Sequence, residues 1–196
     1  MDEACQHCPA LRQSRSRIVH GFGDVTADFL FVTHAPTADA NRTGIPFGGS
    51  DTDSIMWSIL DRVGFISGTL DGDPRTENVY LTHLTRCRHP DRMPTSEERA
   101  NCEPFLNADI RMINPEILIP IGEIALQELA FEYTTKSPDS FDIDRDHGAE
   151  IRGRGFEIIP MKHPSRMTSD DVETIVSRLQ SVLDRDYRQT KGGRRR

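Results

Sequence analysis

Short apolar runs separated by longer polar stretches set the rhythm of this chain. Four runs, "FLFVTHA" (29–35), "NVYLTHLT" (78–85), "EILIPIG" (116–122) and "FEIIPMKH" (156–163), predict buried parallel strands. Helical patterns lie between them. "DTDSIMWSILDRVG" (51–64) places Ile55, Ile59, Leu60 and Val63 on one helical face, and Thr95 and Glu98 stand at capping-box spacing ahead of a second helix. "EIALQELA" (123–130) predicts a short helix directly after Gly122. From Asp170 to about Tyr187, Val172, Ile175, Val176, Leu179, Val182 and Leu183 recur at helical period. Strands alternating with helices predict an α/β domain with a mainly parallel sheet.

In such sheets ligands bind beyond the carboxyl ends of the strands. Three stretches fall there: "HAPTADANRTGIPFGGSD" (34–51), the segment from His83 to Arg92, and "HPSR" (163–166). The first is turn-rich and nearly devoid of apolar bulk, the pattern of a loop that shapes a site rather than a core. Residues 133–155 are polar and predict a long surface loop with a hairpin at its end. The last stretch, 188–196, is basic and reads as a solvated, disordered tail outside a single domain over 1–187.

Composition narrows the class. A chain of 196 residues buries a core without disulfide staples. No apolar run reaches the length of a membrane span and the first residues lack a signal-peptide pattern, so a cytoplasmic protein is expected. The net charge of −7 argues against a general polyanion binder, although a groove on an acidic protein can be locally basic. Arginine outnumbers lysine 21 to 3, which suits bidentate phosphate contacts and equally fits a salt-adapted host or a GC-rich genome.

The four cysteines, Cys5, Cys8, Cys87 and Cys102, read C-x2-C, a gap of 78 residues, then C-x14-C. A disulfide framework fits an intracellular chain poorly. Four thiolates complete either a zinc site or a [4Fe–4S] cluster, and the wide separation of Cys87 from Cys102 favours the cluster. In both cases the metal staples the N-terminal arm to residues 87–102.

Taken in order, "CQHC", "APTADANRTGIPFGG", "VYLTHLTRCRHPDRMPTSEERANCEPFL", "ILIPIG" and "HPS" resemble the iron–sulfur uracil-DNA glycosylases of families 4 and 5 over most of the chain. The resemblance implies a three-layer α/β/α fold around a central, mainly parallel four-stranded sheet, a structural [4Fe–4S] cluster on the four cysteines, and a monomer acting in base excision repair. It implies DNA containing uracil or another deaminated base as partner, with the damaged base flipped out of the helix. Phe47 matches the family's stacking aromatic. Ala35 to Gly49 would wrap the base, and His163 would stabilise the charge that develops on it. Ser165, Arg166 and Met167 would press the minor groove, with Met167 or Arg166 as wedge. Arg86, Arg88 and Arg92 would meet phosphate beside the cluster.

Three positions depart from the family pattern. His34 stands where family 4 carries Glu, and the acidic places nearby read Asp39, Ala40 and Asn41. Ser50 stands where family 5 carries Asp, with Asp51 one place later. His83, in "THLTRC", replaces the base-reading Asn. Asp51 and Asp39 are then the candidate carboxylates for water activation, Asn41 a candidate for positioning that water, and His83 and His34 candidates for contact with the base. The altered set also fits a catalytically attenuated iron–sulfur DNA-binding module. A third possibility is that His83 or His34 attacks the sugar covalently.

Overall fold

A computed structural model describes residues 4–47, 51–68 and 74–188; of Asp51 and Thr52 it describes the backbone alone. Its elements run α1 (Pro9–Ser14), β1 (Phe22–Gly23), β2 (Phe29–Thr33), α2 (Ala38–Thr43), α3 (Asp51–Val63), β3 (Ile66–Ser67), β4 (Arg75–Thr76), β5 (Val79–His83), α4 (Ser96–Ile113), β6 (Ile117–Ile121), α5 (Glu123–Tyr133), α6 (Ile143–Asp146), β7 (Ile151–Arg152), β8 (Glu157–Ile158) and α7 (Ser169–Leu183). Among the described residues no helix is long and apolar enough to cross a membrane.

The four expected strands form the parallel centre of a sheet ordered β1-β5-β2-β6-β8-β7. Two short antiparallel strands, β1 against β5 and β7 against β8, extend it to six. The β7–β8 pair is the hairpin expected at the end of residues 133–155, whereas β1 escaped notice because two residues carry no periodicity. β8 is short because Pro120 in β6 offers no N–H to it, although Ile159 N–H to Leu118 O (2.9 Å) and Met161 N–H to Pro120 O (2.9 Å) carry the alignment onward.

Alternation along the strands builds two cores. Phe29 and Phe31 face α3 and α7, where Ile59, Leu60, Ile175 and Leu179 are fully buried. Leu30 and Val32 face α4 and α5, against Leu106, Ile110 and Leu129. The result is the α/β/α layering. The Thr95–Glu98 capping box is formed at the start of α4, and Thr168 with Asp171 makes a second one on α7.

Residues 133–155 are more ordered than a surface loop. A 3-10 turn (Pro138–Ser140) and α6 bury Phe141 and Ile143 against Leu126 and Ala130 of α5. Two isolated apolar residues in a polar stretch were enough to dock it. At the other end, Arg188 donates to Asp28 Oδ2 at 2.6 and 2.8 Å, so the ordered chain includes it, and residues 189–196 lie outside the described part.

Candidate active site

Register fixes the site. Thr33 pairs with His83 on one side and Ile121 on the other, so β2, β5 and β6 end level. Immediately beyond them the chain supplies His34 after β2 and Gly122 after β6, and His163 arrives from the segment after β8. Gly122 has φ +82° and ψ 167°, a conformation for glycine, and a Cβ there would stand 3.6 Å from His163 Cβ. These residues open onto a cleft of about 510 Å³, the size of a small-ligand site. His34, Ala35, Thr37 and Asp39 line one side, Gly122, Glu123, His163 and Ser165 another, and Arg88, Lys162 and Arg166 bring positive charge.

His163 is held in one tautomer. The Ser165 backbone N–H donates to its Nδ1 at 3.3 Å, and Ser165 Oγ lies 2.8 Å from the same atom. A backbone N–H can only donate, so Nδ1 accepts and the ring hydrogen of the neutral imidazole sits on Nε2. Burial lowers the pKa of His163, and Asp53 pulls it part of the way back. The ring therefore works as a neutral donor.

The His34 and His163 rings lie 5.5 Å apart. Burial, with His163 adding to it, brings the pKa of His34 down to about 4. His83 is fully buried beside them, its pKa lowered to about 3 by burial and then by Arg86 and His34. Among the described residues neither ring nitrogen of His83 finds a hydrogen-bond partner, an arrangement that costs on the order of 1–3 kcal/mol for a buried polar group. His83 does not line the open cleft.

Phe47 is buried in the main core, with its ring 6.1 Å from His83 in an edge-to-face arrangement. Its φ of +58° is rare for an aromatic residue, and the Trp57 indole N–H donates to its carbonyl. The backbone of Phe47 is thus held in a costly conformation at the mouth of the segment 48–50. Gly49 belongs to that segment and lies outside the described residues, as does the side chain of Asp51.

The remaining expected residues divide sharply. Asp39 lines the cleft and pairs with Arg42 at 3.1 Å. Asn41 faces away from the cleft, accepting from the Ser16 N–H at 3.0 Å, and so ties α2 to the N-terminal arm. Arg166 is exposed and 3.3 Å from Asp144, while Met167 packs partly against the main core, which places it badly for a wedge. Arg92 forms a bidentate pair with Glu98 at 2.7 Å. Arg86 has to be corrected as a phosphate contact: it is 4% exposed and pairs with Asp109 at 2.5 Å, because the chain after β5 turns inward there. Arg88 alone of these three faces the cleft.

Asp53 was missed by sequence reasoning. It is fully buried, accepts from Thr37 Oγ1 at 3.2 Å and acts electrostatically on His163. The signal was present, since residue 53 shares a helical face with Met56, Trp57 and Leu60, all buried.

Cys5, Cys87 and Cys102 line one small apolar hollow, with Ile18, Phe105 and Ala108 around them. Asn101 Nδ2 donates to Cys8 Sγ at 3.7 Å. Burial, with Cys87, Cys8 and Cys5 adding to it and the Arg86 backbone opposing it, pushes the Cys102 thiol up to about 11, so the other three cysteines lie within electrostatic reach of Cys102. Arg15 fastens the arm here, with its guanidinium 3.5 Å from Cys87 Sγ and 2.8 Å from Cys5 O. Among the described residues no three His, Cys, Asp or Glu side chains are gathered closely enough for a single metal ion.

The uracil DNA glycosylase superfamily model matches residues 20–180, which takes in the whole sheet and every wall of the cleft. The chain belongs to the uracil-DNA glycosylase superfamily. Within it, the chain is 31% identical to the type-4 uracil-DNA glycosylase of Thermotoga maritima over 184 residues, covering 88% of this chain and 83% of that one. It is 33% identical to the type-5 uracil-DNA glycosylase of Thermus thermophilus over 191 residues, 85% and 84% of the two chains. The likeness thus extends to relatives of both types at similar identity.

Proposed function

We propose that this protein hydrolyses the N-glycosidic bond of uracil, or of another deaminated base, flipped out of DNA in base excision repair. The observation that carries the reading is His163, fixed by Ser165 with its hydrogen on Nε2 at the wall of a cleft rimmed by Arg88, Lys162 and Arg166. As the bond breaks, negative charge gathers on the base oxygens. A neutral N–H donor already in place stabilises that charge without reorganising, an effect worth about 2.7–4 kcal/mol. Of the three cations, Arg88 would suit a phosphate beside the flipped nucleotide most directly, since Lys162 pairs with Asp171 at 2.8 Å and Arg166 with Asp144 at 3.3 Å. Phe47 and His83 lie buried behind the cleft, so stacking on Phe47 and contact of the base edge with His83 would require the pocket to open inward.

Cys5, Cys8, Cys87 and Cys102 would hold a [4Fe–4S] cluster. The fit is supported by Cys5, Cys87 and Cys102 lining one apolar hollow, with Cys8 within electrostatic reach of Cys102. When bound, the cluster supplies no chemistry to the cleft and fastens the arm. The protein would act as a monomer.

A second reading has its own support: Asp39 is engaged with Arg42 and Asn41 with Ser16, so neither is reserved for a water. That favours a module that binds DNA and excises slowly or not at all. Single-turnover excision on oligonucleotides carrying uracil, hypoxanthine or xanthine separates the two. Excision that drops by about 10²–10³ in His163→Ala is expected of the glycosylase. DNA binding with no excision of any of the three bases would leave the binding module.

A further inference from the structure

The two imidazoles that face the cleft are held in complementary ways. His163 accepts at Nδ1 and so carries its hydrogen on Nε2. His34 has Thr33 Oγ1 3.4 Å from its Nδ1, and among the described residues nothing bonds its Nε2. Thr33 Oγ1 can accept from an Nδ1–H of His34, and in that tautomer the lone pair of Nε2 is left for the cleft. The backbone of His34 is pinned as well, its carbonyl accepting from Thr85 N–H at 3.2 Å and Thr85 Oγ1 at 3.3 Å.

We propose that His34 is the base that takes the proton of the attacking water. The assignment rests on the glycosylase reading above. In the step, the water oxygen bonds to C1′ of the deoxyribose and its proton passes to His34 Nε2. The electron pair of the glycosidic bond leaves with the base, whose oxygen is met by His163 Nε2–H. The proton then returns from His34 to solvent or to the departing base.

Three observations favour His34 over Asp39 and Asp53. It lines the same cleft as His163, its ring centroid 5.5 Å from that of the donor ring. Asp39 is paired with Arg42, and Asp53 is fully buried behind Thr37. The groups around His34 are His163, His83, Arg88, Asp39, Glu123 and Lys162, and burial with His163 keeps its imidazole neutral. A base whose conjugate acid titrates near 4 matches an aspartate in strength, so the substitution of an imidazole for a carboxylate does not by itself remove the base.

The test compares wild type, His163→Ala, His34→Ala and His34→Asp in single-turnover excision of uracil, with and without added imidazole. Binding to an oligonucleotide carrying a cleavage-resistant 2′-fluoro deoxyuridine is measured alongside by fluorescence anisotropy. His34→Ala is expected to lose about 10²–10⁴-fold in rate and to bind within a few-fold of wild type. Free imidazole or the Asp variant should restore part of the rate. A His34→Ala rate within a few-fold of wild type would overturn the assignment, as would loss that neither imidazole nor Asp restores, which would make His34 structural. A denaturant-resistant protein–DNA adduct in wild type would make it a nucleophile instead. Inactive wild type would remove the glycosylase reading itself, an outcome distinct from active wild type with an indifferent His34.

Discussion

Asp109→Asn puts the largest single demand on the fold. Arg86 and Asp109 pair at 2.5 Å with side chains 5% and 4% exposed, and Thr82 Oγ1 donates to the same carboxylate at 2.7 Å. The amide keeps the volume and an acceptor for Thr82 but removes the charge that offsets a buried guanidinium, one of whose nitrogens already lacks a partner. Breaking one side of a buried pair typically costs about 3–5 kcal/mol. At roughly 2–4 °C per kcal/mol for a domain of this size, Tm should fall by roughly 6–20 °C. The control is Arg86→Met with Asp109→Leu, which removes both charges and should recover most of the loss. Scanning calorimetry reads both. A fall in Tm below about 2 °C for Asp109→Asn, or a double variant less stable than the single, would refute the reasoning, because either means the pair is hydrated.

Acid should weaken the fold through its buried histidines. Their folded pKa values lie below the unfolded 6.5, so the unfolded chain binds more protons below that pH, and stability falls as pH drops from about 6.5 through about 4 for His34 and about 3 for His83. The fully buried His83 alone accounts for at most about 5 kcal/mol of the loss, and Tm against pH should flatten in His83→Asn. Gly122→Ala forces a side chain into φ +82° beside His163 Cβ, and should lower both Tm by several degrees and excision; unchanged excision would show that the backbone yields without moving His163.

The layers were legible because the four parallel strands are apolar throughout and the two large amphipathic helices, α3 and α7, keep strict period. The carboxyl-edge location of the site followed from topology alone. What escaped is long-range. Arg86 sits among arginines that look alike in a sequence, and only the inward turn after β5 separates it from Arg88. Phe141 and Ile143 are two apolar residues in a polar stretch, and their burial depends on α5 lying beneath them. Asp53 reads as a helix-start acid until its helical face is seen to be the buried one. The partnerless nitrogens of His83 are legible only once every neighbour has been placed.

The N-terminal arm has few apolar anchors of its own, Leu11 and Val19 among them, and is otherwise held by Arg15 at the thiols, by Ser14 Oγ on Arg88 O at 2.8 Å and by Ser16 on Asn41. Two of those attachments end on residues of, or next to, the cleft: Arg88 faces it and Asn41 belongs to the helix that forms its wall. A change confined to the arm would therefore be felt across the sheet edge: weakening the hold of Arg15 on the Cys87 thiol would slacken the ties to Arg88 and to Asn41 together, and with them two walls of the cleft.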